Sequence, residues 1–166
     1  MRQKIIGVFV FTLILIFTTV CFAQTYPVSQ NTLEELRAIT SNVSFDLYLS
    51  TGQVLLGSIK LTDVQLTLII EADANIYRIG TALVGIYRML EMEFLHAEEK
   101  QFNSKATGKI SEYVNLVISD INIVIERDNE ILKTINDKML QEKYEKNKMN
   151  MEKALGILNK VMEELP

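Results

Sequence analysis

Three side chains near the middle of the sequence could bind a soft metal ion. Met89, Met92 and His96 are spaced i, i+3 and i+7, so they fall on one stripe of an α-helix. Two thioethers and an imidazole suit Cu(I), and a methionine with a histidine can hold a haem iron inside a helical bundle. Methionines at this spacing also fill gaps in a helical core, with His96 at the wet end of the helix. The stripe therefore supports an alternative prediction, an extracytoplasmic copper or haem carrier, beside a purely structural role.

The single histidine limits every other kind of site. The chain has 1 His and 1 Cys. A di-iron bundle needs two Glu-x-x-His motifs, whereas Glu93 and His96 supply one. Nucleophile-elbow, zinc-protease and phosphate-loop motifs are absent from the sequence. The leading interpretation is therefore a protein that is not an enzyme and that uses no cofactor.

Two aspartates stand where the helical repeat predicts core positions. Asp73 and Asp128 each lie between large apolar residues in a pattern of steps of three and four. A buried carboxylate is costly unless it is paired, and the strong partners in the sequence are Arg78, Arg88 and Arg127. The pattern predicts ion pairs that fix the register of the helices. An error in the seam assignment and a polar ligand pocket are the alternatives.

The elements that position these residues are predicted to be helices. Between Pro27 and Pro166 there is no proline to interrupt a helix. Capping boxes begin at Thr32 and Thr62, and apolar residues then recur at helical spacing. Residues 45–61 fit either a helix or a short hairpin. The predicted fold is all-α, an antiparallel up-and-down helical bundle of four to five helices with coiled-coil seams.

Polar segments predict where the later helices end and begin. Residues 103–108 interrupt the apolar pattern, and Gly108 could take the left-handed conformation of a helix C-terminus. Ser111 is the predicted N-cap of the helix that follows. The charged residues 141–150 fit either an exposed turn or a solvated helix.

The last helix carries an apolar stripe that could bind a partner. Met151, Leu155, Leu158 and Met162 recur at helical spacing, and methionine-bearing surfaces adapt to several partners. The predicted function is a binding or interaction module. Its partner would be another protein, a second copy of the chain in a homo-oligomer, or an amphipathic ligand. Deleting residues 148–166 should abolish binding if the stripe is a surface, and should unfold the domain if it is core.

The N-terminus resembles an export signal. Arg2 and Lys4 precede an uncharged run over residues 5–22, and Cys21 and Ala23 are small residues that suit signal peptidase. We predict a signal peptide over 1–23 and an exported protein, periplasmic or secreted. The alternatives are an uncleaved anchor, which would be the only membrane contact, and a lipidated Cys21.

The rest of the chain is predicted to form one acidic domain. Residues 24–31 form a short exposed lead, and residues 32–166 form a single helical-bundle domain. Removal of the leader takes two of the 17 basic residues and none of the 21 acidic residues, so the net charge changes from −4 to −6. This acidity argues against nucleic acid as a partner. The mature chain would contain no cysteine, so its stability would depend on the core alone.

Overall fold

The computed structural model describes residues 28–46, 59–98 and 104–165. These residues form four helices and no strand: α1 (Gln30–Asp46), α2 (Asp63–Glu98), α3 (Ser104–Thr134) and α4 (Lys138–Glu164). The all-α prediction is confirmed. The predicted signal peptide, residues 24–27 of the lead and most of the hairpin-or-helix segment lie outside the described residues.

The helices pack as an up-and-down bundle. Helices α1 and α3 each contact both α2 and α4. The side chain of Gln65, at the start of α2, donates to the carbonyl of Thr134, at the end of α3, over 2.9 Å. Glu164, at the end of α4, accepts hydrogen bonds from Ser29 and Thr32, at the start of α1. Neighbouring helices are therefore antiparallel, as predicted.

One apolar core joins the four helices. Helix α2 buries Ile69, Ile76, Leu83 and Leu90, which are seven residues apart, and none of them is more than 3% exposed. This repeat is the predicted coiled-coil seam. Burial of each such side chain stabilises the fold by roughly 1.5–3 kcal/mol before entropic costs.

The start of α2 follows the sequence prediction. The Thr62 amide donates to the Gln65 side chain over 3.0 Å, and the Gln65 amide donates to the Thr62 hydroxyl over 3.3 Å. This reciprocal pair is a capping box, and it satisfies two amides that the first helical turn leaves unpaired.

The start of α1 differs from the sequence prediction. The helix begins at Gln30, because the Ser29 hydroxyl, not that of Thr32, accepts from the backbone at this end. The Thr32 hydroxyl instead donates to Glu164. Val28 is 2% exposed and belongs to the core. The predicted exposed lead is therefore wrong at Val28, and the helix begins inside it.

Gly108 lies inside a helix, in contrast to the predicted C-terminal cap. Helix α3 begins at Ser104, seven residues before the predicted N-cap Ser111. Buried residues at spacings of three and four continue from Val114 back to Ile110 and Thr107. The core contacts of this turn therefore stabilise a helix that runs through the glycine.

The polar segment 141–150 belongs to the continuous helix α4. Asp137 is its N-cap and accepts from the Leu140 amide over 3.0 Å. Tyr144, Asn147 and Asn150 are buried, so one side of this segment faces the core. The predicted turn is wrong, and the predicted solvated helix is correct for its outer side alone. None of the described helices is both long and apolar enough to cross a membrane.

Candidate functional site

A buried ion pair links α2 to α4. The ammonium of Lys143 lies 2.6 Å from Asp73 Oδ1, and the hydroxyl of Tyr144 donates to the same oxygen over 3.1 Å. Asp73 and Tyr144 are both buried. Burial and the neighbouring Asp73 carboxylate raise the pKa of the Tyr144 hydroxyl far above its usual range, so it stays a donor.

The partner of Asp73 is not one of the arginines considered from the sequence. Arg78 lies 3.0 Å from Asp120, and Arg127 lies 2.9 Å from Glu130. Lys143 comes from the segment that sequence reasoning assigned to solvent. Lys143 and Asp73 are 70 residues apart in the sequence, so no local sequence pattern could predict that they pair.

Asp128 is the second buried aspartate. It is 0% exposed, and neither of its carboxylate oxygens has a hydrogen-bond partner in the part of the chain that the structure describes. Burial raises the pKa of this carboxyl to about 7; Lys143 opposes the shift and the Asp73 charge adds to it. The amide nitrogen of Asn147 is likewise buried without a hydrogen-bond partner among the described residues. We call these five residues the polar centre: Asp73, Asp128, Lys143, Tyr144 and Asn147.

The polar centre contains acid–base groups, but its two most buried side chains cannot be reached from solvent. Asp128 and Tyr144 are each 0% exposed. General acid–base catalysis needs a substrate within hydrogen-bond reach of the group that transfers the proton. A substrate could reach Asp128 only if the helices separated. The arrangement is therefore suited to fixing the register of α2, α3 and α4.

The predicted soft-metal stripe is described in part. Met89 is half-buried and packs against the core, whereas Met92 is 58% exposed. His96 lies in α2, but its side chain is outside the described part, so the copper or haem site stays a prediction. Among the described residues, no group of three or more His, Cys, Asp or Glu is placed to hold a metal ion.

The apolar stripe of the last helix lies in the core. Met151 and Leu158 are buried, and Leu155 and Met162 pack against the core cluster. Met151 and Leu158 therefore offer no free surface to a partner, whereas Leu155 and Met162 are half-buried at the edge of the core. The predicted docking surface is wrong at Met151 and Leu158, because the same spacing that suggested a docking face builds the seam of the bundle.

An open groove runs between α1 and α4. Its volume is 420 Å³. The two helices contribute four residues each: Glu35, Ala38, Ile39, Asn42, Lys153, Gly156, Ile157 and Lys160. We call this feature the α1–α4 groove. Its middle is apolar, and charged or amide side chains lie at both of its ends.

The two ends of the groove differ in charge. At one end the Lys160 ammonium lies 2.7 Å from the Glu35 carboxylate, and this hydrogen bond lowers the pKa of Glu35. At the other end, seven residues further along each helix, lie Asn42 and Lys153. Within the described ranges, no carboxylate pairs with Lys153. Among the described side chains, the charge at one end is therefore compensated, and the charge of Lys153 at the other end is not.

A glycine keeps the middle of the groove open. A Cβ atom added at Gly156 would meet no atom within 4 Å. Ala38 on α1 and Gly156 on α4 are the smallest residues of the lining, and Ile39 and Ile157 lie next to them in the sequence. Sequence reasoning missed this groove. Each half has a visible i, i+3, i+7 pattern, but only the packing register of α1 on α4 brings the halves together.

Two large apolar side chains are exposed on the outer side of α3. Leu116 is 64% exposed and Ile123 is 47% exposed, and they lie one heptad apart. Between them in sequence, Asp120 pairs with Arg78 of α2. We call Leu116 and Ile123 the outer row.

Comparisons of the chain with protein-family models, with curated proteins and with solved structures find no match. The class of this protein is therefore defined by its own features. The described residues form an antiparallel four-helix bundle with a buried polar centre and an apolar groove between the first and last of these helices.

Proposed function

We propose that the chain is an exported, non-enzymatic binding module whose α1–α4 groove holds an amphipathic ligand. The observation that carries this proposal is the open groove of 420 Å³ with an apolar middle and polar ends. Small-molecule sites in proteins have volumes of about 300–1,000 Å³, and apolar walls with a few polar groups are typical of them. Of the surfaces named by sequence reasoning or found in the structure, this one best fits a ligand with an apolar body.

The groove also supplies a driving force for such a ligand. Ala38, Ile39, Gly156 and Ile157 line its middle, and Gly156 leaves room above the helix backbone. Each methylene of a ligand that leaves water for such a surface contributes about 0.8 kcal/mol when it is fully buried. Because the groove is open to solvent, a small ligand would gain part of this value, and we expect reversible binding.

Export is the second part of the proposal. It depends on the basic residues Arg2 and Lys4, the uncharged run over 5–22, and the small residues before Gln24. Native mass spectrometry of the protein from its own host would measure the mature N-terminus and any copurifying ligand together. A mature chain that begins at Met1 in the cytoplasm would contradict export.

The groove is tested by filling it. We expect Gly156→Leu to reduce binding of the neutral fluorescent probe Nile red at least fivefold, because the new side chain would occupy the middle of the groove. The matched control is Gly108→Leu on α3, since a Cβ at that position also meets no atom within 4 Å but lies outside the groove. Circular dichroism and thermal unfolding of both variants show whether each remains folded.

Two results would count against the groove as the ligand site. Equal loss of probe binding in both glycine variants would mean that the effect is on the fold. Unchanged probe binding in folded Gly156→Leu would place the probe elsewhere, with the outer row as the next surface to examine.

A protein partner or a second copy of the chain is the second candidate. The outer row favours it, because Leu116 and Ile123 expose large apolar side chains one heptad apart on α3. If the outer row is a self-association surface, the double variant Leu116→Lys, Ile123→Lys would convert a dimer to a monomer in sedimentation velocity. A monomeric wild-type chain at micromolar concentration would exclude self-association through this row at that concentration.

A further inference from the structure

We infer that the ligand of the α1–α4 groove is an anionic amphiphile, with its carboxylate or phosphate head at Asn42 and Lys153. Its apolar body would lie along the middle of the groove toward the Glu35–Lys160 ion pair. This inference rests on the proposed function and adds the chemical class of the ligand and its orientation.

The orientation of the ligand follows from the end of the groove that holds the Glu35–Lys160 ion pair. The Lys160 ammonium is already 2.7 Å from Glu35, so its charge is compensated within the protein. A ligand head group at this end would have to compete with that carboxylate. The apolar end of a ligand can approach the ion pair without displacing it.

The chemistry of the head group follows from the other end of the groove, where Asn42 and Lys153 lie. Lys153 supplies an ammonium with three donors, and the Asn42 amide supplies two more. Neither residue has a hydrogen bond or an ion pair in the described part of the chain. A carboxylate or phosphate would accept from both side chains, whereas a cationic head would be repelled by Lys153. Because the chain has a net charge of −4, the attraction for an anion must come from this local arrangement.

The length of the groove limits the apolar body. The two ends of the groove are seven residues apart on both helices, which corresponds to about 10 Å of helix rise. A short alkyl chain or a small ring system matches this length. A long-chain lipid would extend beyond the groove into solvent.

Four probes that share a chain of eight carbons test the head group on the full chain expressed with its own N-terminal segment. They are octanoate, octyl phosphate, 1-octanol and octyltrimethylammonium, each used below its aggregation concentration. Calorimetry gives the Kd, and amide chemical shifts identify the helices that respond. We expect octanoate or octyl phosphate to bind more tightly than 1-octanol and to shift amides in α1 and α4, and octyltrimethylammonium to bind most weakly. The comparison of the first two probes separates a carboxylate ligand from a phosphate ligand.

Lys153→Gln gives the decisive comparison. We expect it to weaken binding of the preferred anionic probe about threefold to fivefold, as for a partly exposed ion pair, and to leave 1-octanol unchanged. Lys109→Gln is the matched control, because Lys109 is an exposed lysine on α3 outside the groove. If the neutral and anionic probes bind equally and Lys153→Gln has no effect, the head-group inference is wrong while the proposed function stands. If no probe shifts the amides of α1 and α4, both are wrong.

Discussion

The Asp128 carboxyl makes the stability of the bundle depend on pH. Its pKa is 3.8 without the protein environment and rises to about 7 in the fold. Between these values the folded chain holds a proton that the unfolded chain has lost. The contribution of Asp128 to the free energy of unfolding therefore falls as pH rises from about 4 to about 7, which is opposite to the usual effect of a salt-bridged aspartate. The groups that influence Asp128 are Lys143, Asp73 and Lys148.

Asp128→Asn should remove this dependence. The amide has the shape of the protonated acid and no charge, so we expect the variant to be more stable than the wild type at pH 8. The gain would be at most about 4 kcal/mol, since each pKa unit corresponds to about 1.4 kcal/mol. Urea unfolding at pH 4, 6 and 8 measures the difference, which should vanish near pH 4.

Asp120→Asn is the matched control for that series. It makes the same substitution on the same helix, at a partly exposed residue that pairs with Arg78. Its effect should be within about 1 kcal/mol, as for a partly exposed ion pair. If the free energy of unfolding of Asp128→Asn changed with pH between 4 and 7 as steeply as that of the wild type, another group would be the cause.

At the level of elements, helix starts were predictable where their signals were local. The capping box at Thr62 formed as the sequence indicated, because both hydrogen bonds lie within four residues. At the start of α1 the outcome was decided by α4, since Glu164 accepts the hydroxyl of Thr32. Gly108 shows the same limit: the preference of glycine for helix ends was overridden by the core contacts of the first turns of α3.

Gly108→Ala should stabilise α3. The residue lies in a helix, no atom is within 4 Å of the added Cβ, and glycine inside a helix costs roughly 0.5–1 kcal/mol relative to alanine. We expect the melting temperature to rise by about 2–4 °C, measured by calorimetry. A lower melting temperature would indicate the left-handed cap conformation at this residue, where an added Cβ is strained.

For the whole molecule, the fold class and the core seams followed from the sequence, whereas the candidate site did not. The seven-residue spacing of Ile69, Ile76 and Leu83 is a property of one helix. The groove and the Asp73–Lys143 pair each join helices that are distant in the chain, and their register is set by the packing of all four helices. The stripe with Met151 and Leu158 was assigned to a surface for the same reason, because spacing alone does not tell a core face from a docking face.

Deleting residues 148–166 should therefore unfold the domain. The deletion removes the buried Met151 and Leu158 and most of α4, which packs on α1 and α3. We expect loss of most far-UV helical signal and of cooperative thermal unfolding. Met149→Ala, at an exposed residue of the same helix, should leave both unchanged. A truncated chain that stays helical and cooperative would return the stripe to the list of docking surfaces.

The hydrogen bonds from Ser29 and Thr32 to Glu164 set an order of events during synthesis. They join the first and last described turns of the bundle, which are separated by more than 130 residues. A ribosome must have made the chain through Glu164 before α1 can find its partner on α4, so these contacts of long sequence separation form after the local ones. The α1–α4 groove cannot exist until then. A nascent or interrupted chain would therefore be unable to hold the ligand proposed for it, and binding would report on completed folding.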